Sequence, residues 1–281
     1  MLRRIRDNSS ASIPARSAVA CKGSQAGYRP TFTITPYLSA QLADIEAMRK
    51  KFPSLEGRMA SHHDLQDRMR TRDHRVLFTL ERVLAMANGE DFPVVTETRE
   101  QSVLNHYAMQ YRRETLLGRV KWTSKEVLRL HKLVTAGEGL GQGRAGEYRS
   151  ISVRARRFVP PPPGEVHDLM FQLLEWWNTK APSLPPVITS AVLHYRISDI
   201  HPFSDGNGRF ARALALWELY RNGFGRMLSL NGHYWGRRRQ YHAALRAVSR
   251  QGEDLTSWLE YCAGRLKLEL RRQNNCQRAD R

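Results

Sequence analysis

Twelve consecutive residues, HPFSDGNGRFAR from His201 to Arg212, bring together a histidine, a carboxylate, a carboxamide, two glycines and two arginines. A loop built to turn needs Gly206, Gly208 and Asn207, residues that tolerate positive backbone dihedrals. It has no use for the rest, whereas each remaining type has a part in handling phosphate. Glycines let backbone amides approach an oxygen-rich ligand. Arg209 and Arg212, three apart, share a helix face and reach one anion. Asp205 can hold the divalent cation that phosphates bring, and His201 can accept a proton near neutral pH. The set describes a phosphate site with a base beside it.

Helices must position this loop. FARALALWELYRNG, immediately after it, repeats apolar residues at helical spacing, so the loop feeds a helix N-terminus whose amides complete an anion site. PPVITSAVLHYRISDI predicts the helix that delivers His201, and GEVHDLMFQLLEWWNTKA is apolar enough to be a third central helix. Others follow from the same spacing: Pro36 to about Lys51, HDLQDRMRTRDHRVLFTLERVLAMANG, TETREQSVLNHYAMQYRRETLLG, TSKEVLRLHKLVTAG with Thr123 as a candidate cap, YWGRRRQYHAALRAVSRQG and DLTSWLEYCAGRLKLELRR. SISVRARRFV alternates like a strand and predicts a short hairpin.

The fold class is therefore all-α, a helical bundle with one short β-hairpin. GQGRAG, from Gly141 to Gly146, matches the dinucleotide-binding fingerprint by letters, but a helix precedes it and a strand pattern follows, the reverse of what that site requires. The four prolines Pro160 to Pro163 read as an extended spacer that stops the next helix from starting early.

At 281 residues and 41% hydrophobic, the chain can bury one large core. Cys21, Cys262 and Cys276 are odd in number and lack paired spacing, which fits neither a disulfide framework nor a structural zinc site and favours a reducing, cytoplasmic setting. No apolar run approaches the roughly 18 to 20 residues needed to cross a bilayer, so no membrane partner is expected. A net charge of +18 attracts nucleic acid, acidic proteins or nucleotide phosphates without choosing among them. Residues 1–30, rich in Arg and Ser with Asp7 the sole acid, read as a disordered basic leader.

HPFSDGNGR resembles the Fic signature, HPFx(D/E)GN(G/K)R, at every defined position, and QSVLNHYAMQY, AGEYRSISVR, VPPPPGEVHDLM, HYRISDIHPF and DLTSWLEYC look like recurring segments of Fic proteins. The resemblance spans roughly residues 32 to 270, with 31–118 as an N-terminal helical region and 119–275 as the Fic catalytic core and C-terminal helices. It implies a mostly helical fold and a protein adenylyltransferase that moves AMP from ATP, with Mg2+, onto a Ser, Thr or Tyr hydroxyl of a target protein, with auto-modification as a companion activity. It further implies that His201 deprotonates the hydroxyl and that Asp205 meets magnesium. Gly206 and Gly208 would cradle phosphates, Asn207 would fix the α-phosphate, and Arg209 and Arg212 would neutralise the trailing phosphates. Ser150, Ile151, Ser152 and Val153 would form a flap that aligns the target by strand addition. Phe203 would anchor the loop in the core, and His194, seven residues before His201, reads as core packing.

Two departures from the family pattern stand out. The self-inhibitory pattern (S/T)xxxE(G/N) is matched by letters at SLEG, making Glu56 the candidate inhibitory residue, although Phe52 replaces the Ser/Thr; the better-placed segment TRDHRV offers His74 instead. YWGRRRQYHAAL resembles the YxNRxxYY segment that helps hold the nucleotide, but Arg237 stands where Asn is expected. The group transferred therefore stays open between AMP and another nucleotide-derived group. A basic nucleic-acid-binding regulator with an inactive loop is the alternative function, and an antitoxin or a second copy of the chain are partner classes the family allows.

Overall fold

The structure, a computed structural model, describes residues 27–51, 121–135, 144–155, 158–224 and 238–279. Seven α-helices lie among them: α1 (Pro36–Lys51), α2 (Ser124–Val134), α3 (Val166–Thr179), α4 (Pro186–Ile200), α5 (Asn207–Arg221), α6 (Arg238–Arg250) and α7 (Thr256–Ala279). Single 3-10 turns at Pro163–Glu165 and Ala181–Ser183 lead into α3 and α4. All seven answer to segments the sequence predicts as helical, and Pro186 opens α4 where a missing N–H costs nothing.

The helix α4 is the centre of the molecule. Val187 through Tyr195, Ile197, Asp199 and Ile200 are all buried, so it is covered on every side rather than along one stripe. The helix α5 packs antiparallel-fashion back along it after the turn at 201–206, with Ser190 Oγ donating to Ala215 O at 2.8 Å. From the other side Trp258 of α7 donates its indole N–H to Ala191 O at 2.8 Å. The floor under α5 is aromatic. Trp122 stacks on Trp177 with ring centroids 4.6 Å apart and meets Trp217 edge-on at 4.3 Å. The Trp177 indole is satisfied by Glu218 at 2.9 Å, as a buried indole requires. Asn178 pins the start of α2 to the end of α3 by exchanging two 2.7 Å hydrogen bonds with the backbone of Trp122.

The two ends of the described chain meet. Leu255 N donates to Thr31 O at 2.8 Å, Thr33 N donates to Thr256 Oγ1 at 2.8 Å, and Thr35 Oγ1 donates to Glu260 Oε1 at 2.5 Å. The helix α1 then lays Leu38 and Ile45 into the same core as Leu259, Ala263 and Leu266 of α7. Packing begins inside the last residues of the span read as a leader. Tyr28 meets Trp176 edge-on at 5.8 Å, and the guanidinium of Arg196 lies over its ring at 4.8 Å.

Where the sequence predicts a hairpin, the described residues form one antiparallel bridge, Ala155 with Phe158, and no strand. Two 3.0 Å hydrogen bonds join Ala155 and Phe158, and on either side of them the carbonyls of Ile151 and Pro161 are held by the guanidinium of Arg149. The two helices predicted between residues 63 and 118, with Glu56 and His74, lie outside the described residues, as do residues 1–26 of the leader. Among the described residues no helix is long and apolar enough to cross a membrane.

Candidate active site

The site begins where α4 stops. His201 caps the helix in the left-handed region, φ 52° and ψ 57°, while its N–H still donates to Ile197 O at 2.9 Å. A histidine in that conformation is locally costly, and the neighbouring contacts must hold it. Nδ1 lies 3.3 Å from Ser198 O. A carbonyl can only accept, so the ring carries its proton on Nδ1 and keeps the Nε2 lone pair for another proton. Burial, seconded by the charge of Arg149, pushes the His201 pKa below its ordinary value against the opposing pull of the Ser198 carbonyl and Asp205. The ring is therefore a neutral acceptor at neutral pH.

The turn that follows is built around Phe203 and Asn207. Phe203 is fully buried, as expected of an anchor, and stacks face to face on His131 with centroids 3.5 Å apart. Asn207 is buried as well. Its Oδ1 accepts from Phe203 N at 2.9 Å and its Nδ2 donates to Phe203 O at 2.8 Å, so the carboxamide shapes the loop. The phosphate contact that the family resemblance implies for Asn207 would fall to the second N–H of Nδ2, since Oδ1 and the first N–H meet the backbone four residues earlier.

Gly206 sits at φ 77°, and a Cβ there would come within 2.6 Å of Thr135 Cγ2 and 3.1 Å of His131 Nε2. Backbone conformation and close approach both require glycine. Gly208 has ordinary helical geometry, and a Cβ would stand 3.4 Å from Arg212 Nη1, a normal contact; its missing side chain leaves the first turn of α5 open.

Charge is arranged against the helix rather than for it. The first turn of α5 contains no acid, although the positive end of the helix dipole favours one, and it carries Arg209 with Arg212 close behind. Arg209 Nη2 lies 3.8 Å from Asp205 Oδ1, and the Asp205 side chain is 61% exposed. Arg212 is hydrogen-bonded to the hydroxyl of Tyr241, and burial together with the charge of Arg209 presses its pKa downward. Two guanidinium groups beside the N-terminal amides of a helix form a setting that favours an anion. Among the described residues no group of three or more His, Cys, Asp and Glu could hold a metal ion, so Asp205 would meet a cation in company with oxygens brought by a ligand.

Three supporting residues were not singled out by the sequence reading. His131 lies on the apolar stripe Val127, Leu130, His131, Val134, and a histidine in such a stripe was its only signal. Gly146 N donates to His131 Nδ1 at 3.0 Å, which leaves Nε2 to donate to Asp205 O at 3.0 Å. Gly146, φ 82°, would press a Cβ to 2.9 Å from Leu128 O, which accounts for a glycine of the GQGRAG run without any dinucleotide. Burial lowers the His131 pKa to about 4, so the bridge stays neutral.

Arg149, also buried, donates from Nε to His201 O at 2.7 Å. Tyr241 lies in the YWGRRRQYHAAL segment, and its hydroxyl is 2.9 Å from His194 Nε2. His194 is fully buried against Trp258 with its pKa lowered to about 3 by burial, then by Arg212, which places it in the core as expected. Ser150, Ile151 and Ser152 are exposed and Val153 half-buried, on the segment that leaves Arg149.

Comparison with known proteins matches this architecture. Residues 121–219 fit the Fic/DOC family model. Proteins named protein adenylyltransferase Fic from Drosophila willistoni and Drosophila grimshawi are each 38% identical over 118 residues, 42% of this chain, and the chain spans 23% and 24% of their respective lengths. A Fic family protein from Desulfovibrio desulfuricans G20 superposes with a TM-score of 0.69 and 27% identity, covering 89% of this chain and 78% of that one. Fic-1 from C. elegans shares the fold at a TM-score of 0.62 and 21% identity, over 87% and 74% of the two chains. The stretch similar to the Fic/DOC family, residues 121–219, therefore contains the whole His201 loop and ends within the helix that follows it.

Proposed function

We propose that the protein is a protein adenylyltransferase, moving AMP from ATP to a Ser, Thr or Tyr hydroxyl of a target protein. The observation that carries this reading is the pairing of a neutral imidazole, on His201, with a helix start that contains no acid and carries Arg209, with Arg212 close behind. The relatives named protein adenylyltransferase support the choice of donor and group.

His201 Nε2 takes the proton of the attacking hydroxyl as its oxygen bonds to the α-phosphorus, the bond from that phosphorus to the bridging oxygen breaks, and pyrophosphate leaves with its electron pair. Arg209 and Arg212 receive the charge that accumulates on the departing oxygens, an electrostatic contribution of the kind that usually dominates such transfers. The exposed carboxylate of Asp205 suits Mg2+, which keeps most of its water and needs one or two protein carboxylates beside phosphate oxygens. When bound, the ion supplies charge neutralisation along the phosphates. The stretch Ser150–Val153, exposed but for half-buried Val153, offers backbone to which an extended target segment can add, which is the flap role of this reading.

The test is incubation of the purified chain with magnesium and ATP labelled at either the α- or the γ-phosphorus, with and without a cell lysate. Retention of the α-label on protein, absent in His201→Ala, is the expected result. Retention of the γ-label would make the enzyme a kinase, and retention of neither, with salt-dependent binding to DNA, would favour a nucleic-acid-binding regulator.

A further inference from the structure

Arg149 is 3% exposed, and its guanidinium meets four backbone carbonyls: His201 O at 2.7 Å from Nε, Pro161 O at 2.6 Å and Ile200 O at 3.3 Å from Nη2, and Ile151 O at 3.2 Å from Nη1. The main-chain N–H of the same residue donates to Pro202 O at 2.9 Å. Ile200 and His201 are the last carbonyls of α4, the negative end of its dipole, and this gives a buried cation an electrostatic partner without a carboxylate. Ile151 and Pro161 lie on the two sides of the Ala155–Phe158 bridge. One planar fork thus ties the backbone of the base to both ends of the neighbouring segment, a geometry that the point charge of lysine cannot reproduce.

We infer that Arg149 is a positioning residue for His201, fixing the left-handed backbone from which the imidazole hangs and locking it to the segment between Ile151 and Pro161. This rests on the reading of His201 as the base. The charge has a second effect. It stands beside the imidazole and disfavours a proton there, seconding burial, while Asp205 and the Ser198 carbonyl favour one. The base form therefore persists to lower pH than Asp205 alone would allow. Replacing the cation by a neutral residue raises the His201 pKa, and the acid limb of the rate moves to higher pH.

The experiment compares wild type, Arg149→Gln and Arg149→Lys. Imidazole NMR of histidine-labelled protein, with the His201 signal assigned by its loss in His201→Ala, gives the titration midpoint directly and needs no turnover. Steady-state labelling then separates kcat from the KM for nucleotide. In Arg149→Gln the midpoint rises by about half a pH unit or more, and kcat falls at least tenfold while KM stays within about twofold. In Arg149→Lys, which keeps the charge, the midpoint stays near wild type while kcat still falls. An unchanged midpoint in Arg149→Gln, or wild-type kcat in Arg149→Lys, overturns the inference. If Arg149→Gln does not fold, the Lys variant alone decides through kcat. If wild type transfers nothing, the adenylyltransferase reading fails while the NMR midpoints still decide the placement of Arg149.

Discussion

Asn207 closes a two-bond clasp on Phe203, accepting the Phe203 N–H at 2.9 Å and donating to the Phe203 carbonyl at 2.8 Å. Neither backbone group has another route to water in a fully buried residue. Asn207→Ala leaves both unsatisfied and should lower the unfolding free energy by about 2 to 4 kcal/mol, with activity falling in parallel. Denaturant unfolding of the two proteins measures it. A variant that keeps its stability and loses nucleotide binding would show that the carboxamide serves the phosphate directly.

Gly206→Ala meets two penalties that a double variant can separate. Placing a Cβ at φ 77° costs about 1 to 2 kcal/mol, and the clash with Thr135 Cγ2 adds about 1 to 3 kcal/mol. Thr135→Ser removes the methyl and keeps the hydroxyl that donates to His131 O at 2.8 Å. Combining the substitutions should recover the steric part and none of the conformational part. Strict additivity in that cycle would mean the two residues do not touch.

Acid should destabilise the protein in a range set by its buried imidazoles. His131 has a folded pKa of about 4 against 6.5 unfolded, so between those values the unfolded chain binds the proton and the folded one does not. Stability from this group is complete above pH 6.5, declines as pH falls toward 4, and is level below that. From pH 7 to pH 5 the loss is about 2 kcal/mol. His194, lowered to about 3, adds to it in the same direction. Urea unfolding at the two pH values checks the sum, and a slope unaltered in His131→Gln would refute the neutral bridge to Asp205.

Tyr241→Phe isolates the hydroxyl that meets both His194 and Arg212. Arg212 then loses the partner that orients it toward the helix start. Affinity for magnesium-ATP should weaken about five- to tenfold, near 1 kcal/mol, with kcat nearly constant. Calorimetry well below the melting temperature reads this, and a change confined to kcat would place Tyr241 in the chemical step instead.

Much of this was visible in the letters for physical reasons. Apolar residues at helical spacing must face a core, so α4 and α5 could be read directly, and the types packed between His201 and Arg212 have few common uses besides phosphate chemistry. Asn207, Arg149 and His131 were harder because each acts through backbone carbonyls and amides, which every residue possesses and which leave no pattern in side-chain chemistry. The carbonyls that Arg149 collects come from residues as far apart as Ile151 and His201, a proximity created by tertiary packing alone. The strand alternation of SISVRARRFV predicts a ladder, and residues 150–155 instead run out from the Arg149 clamp.

The clasp between Thr31 and Leu255 has a consequence in time. During synthesis the strap and α1 emerge ahead of the helices they pack on, with Leu38 and Ile45 lacking the helix that covers them, and their partners at residues 255–266 follow roughly 210 to 230 positions later. At ordinary elongation rates of 5 to 20 residues per second this is a wait of roughly ten to forty-five seconds. Contacts so distant in sequence also carry a large loop-closure entropy and slow the final search. Until then Leu38 and Ile45 of α1 stand uncovered, and docking of α7 is the late step that buries them.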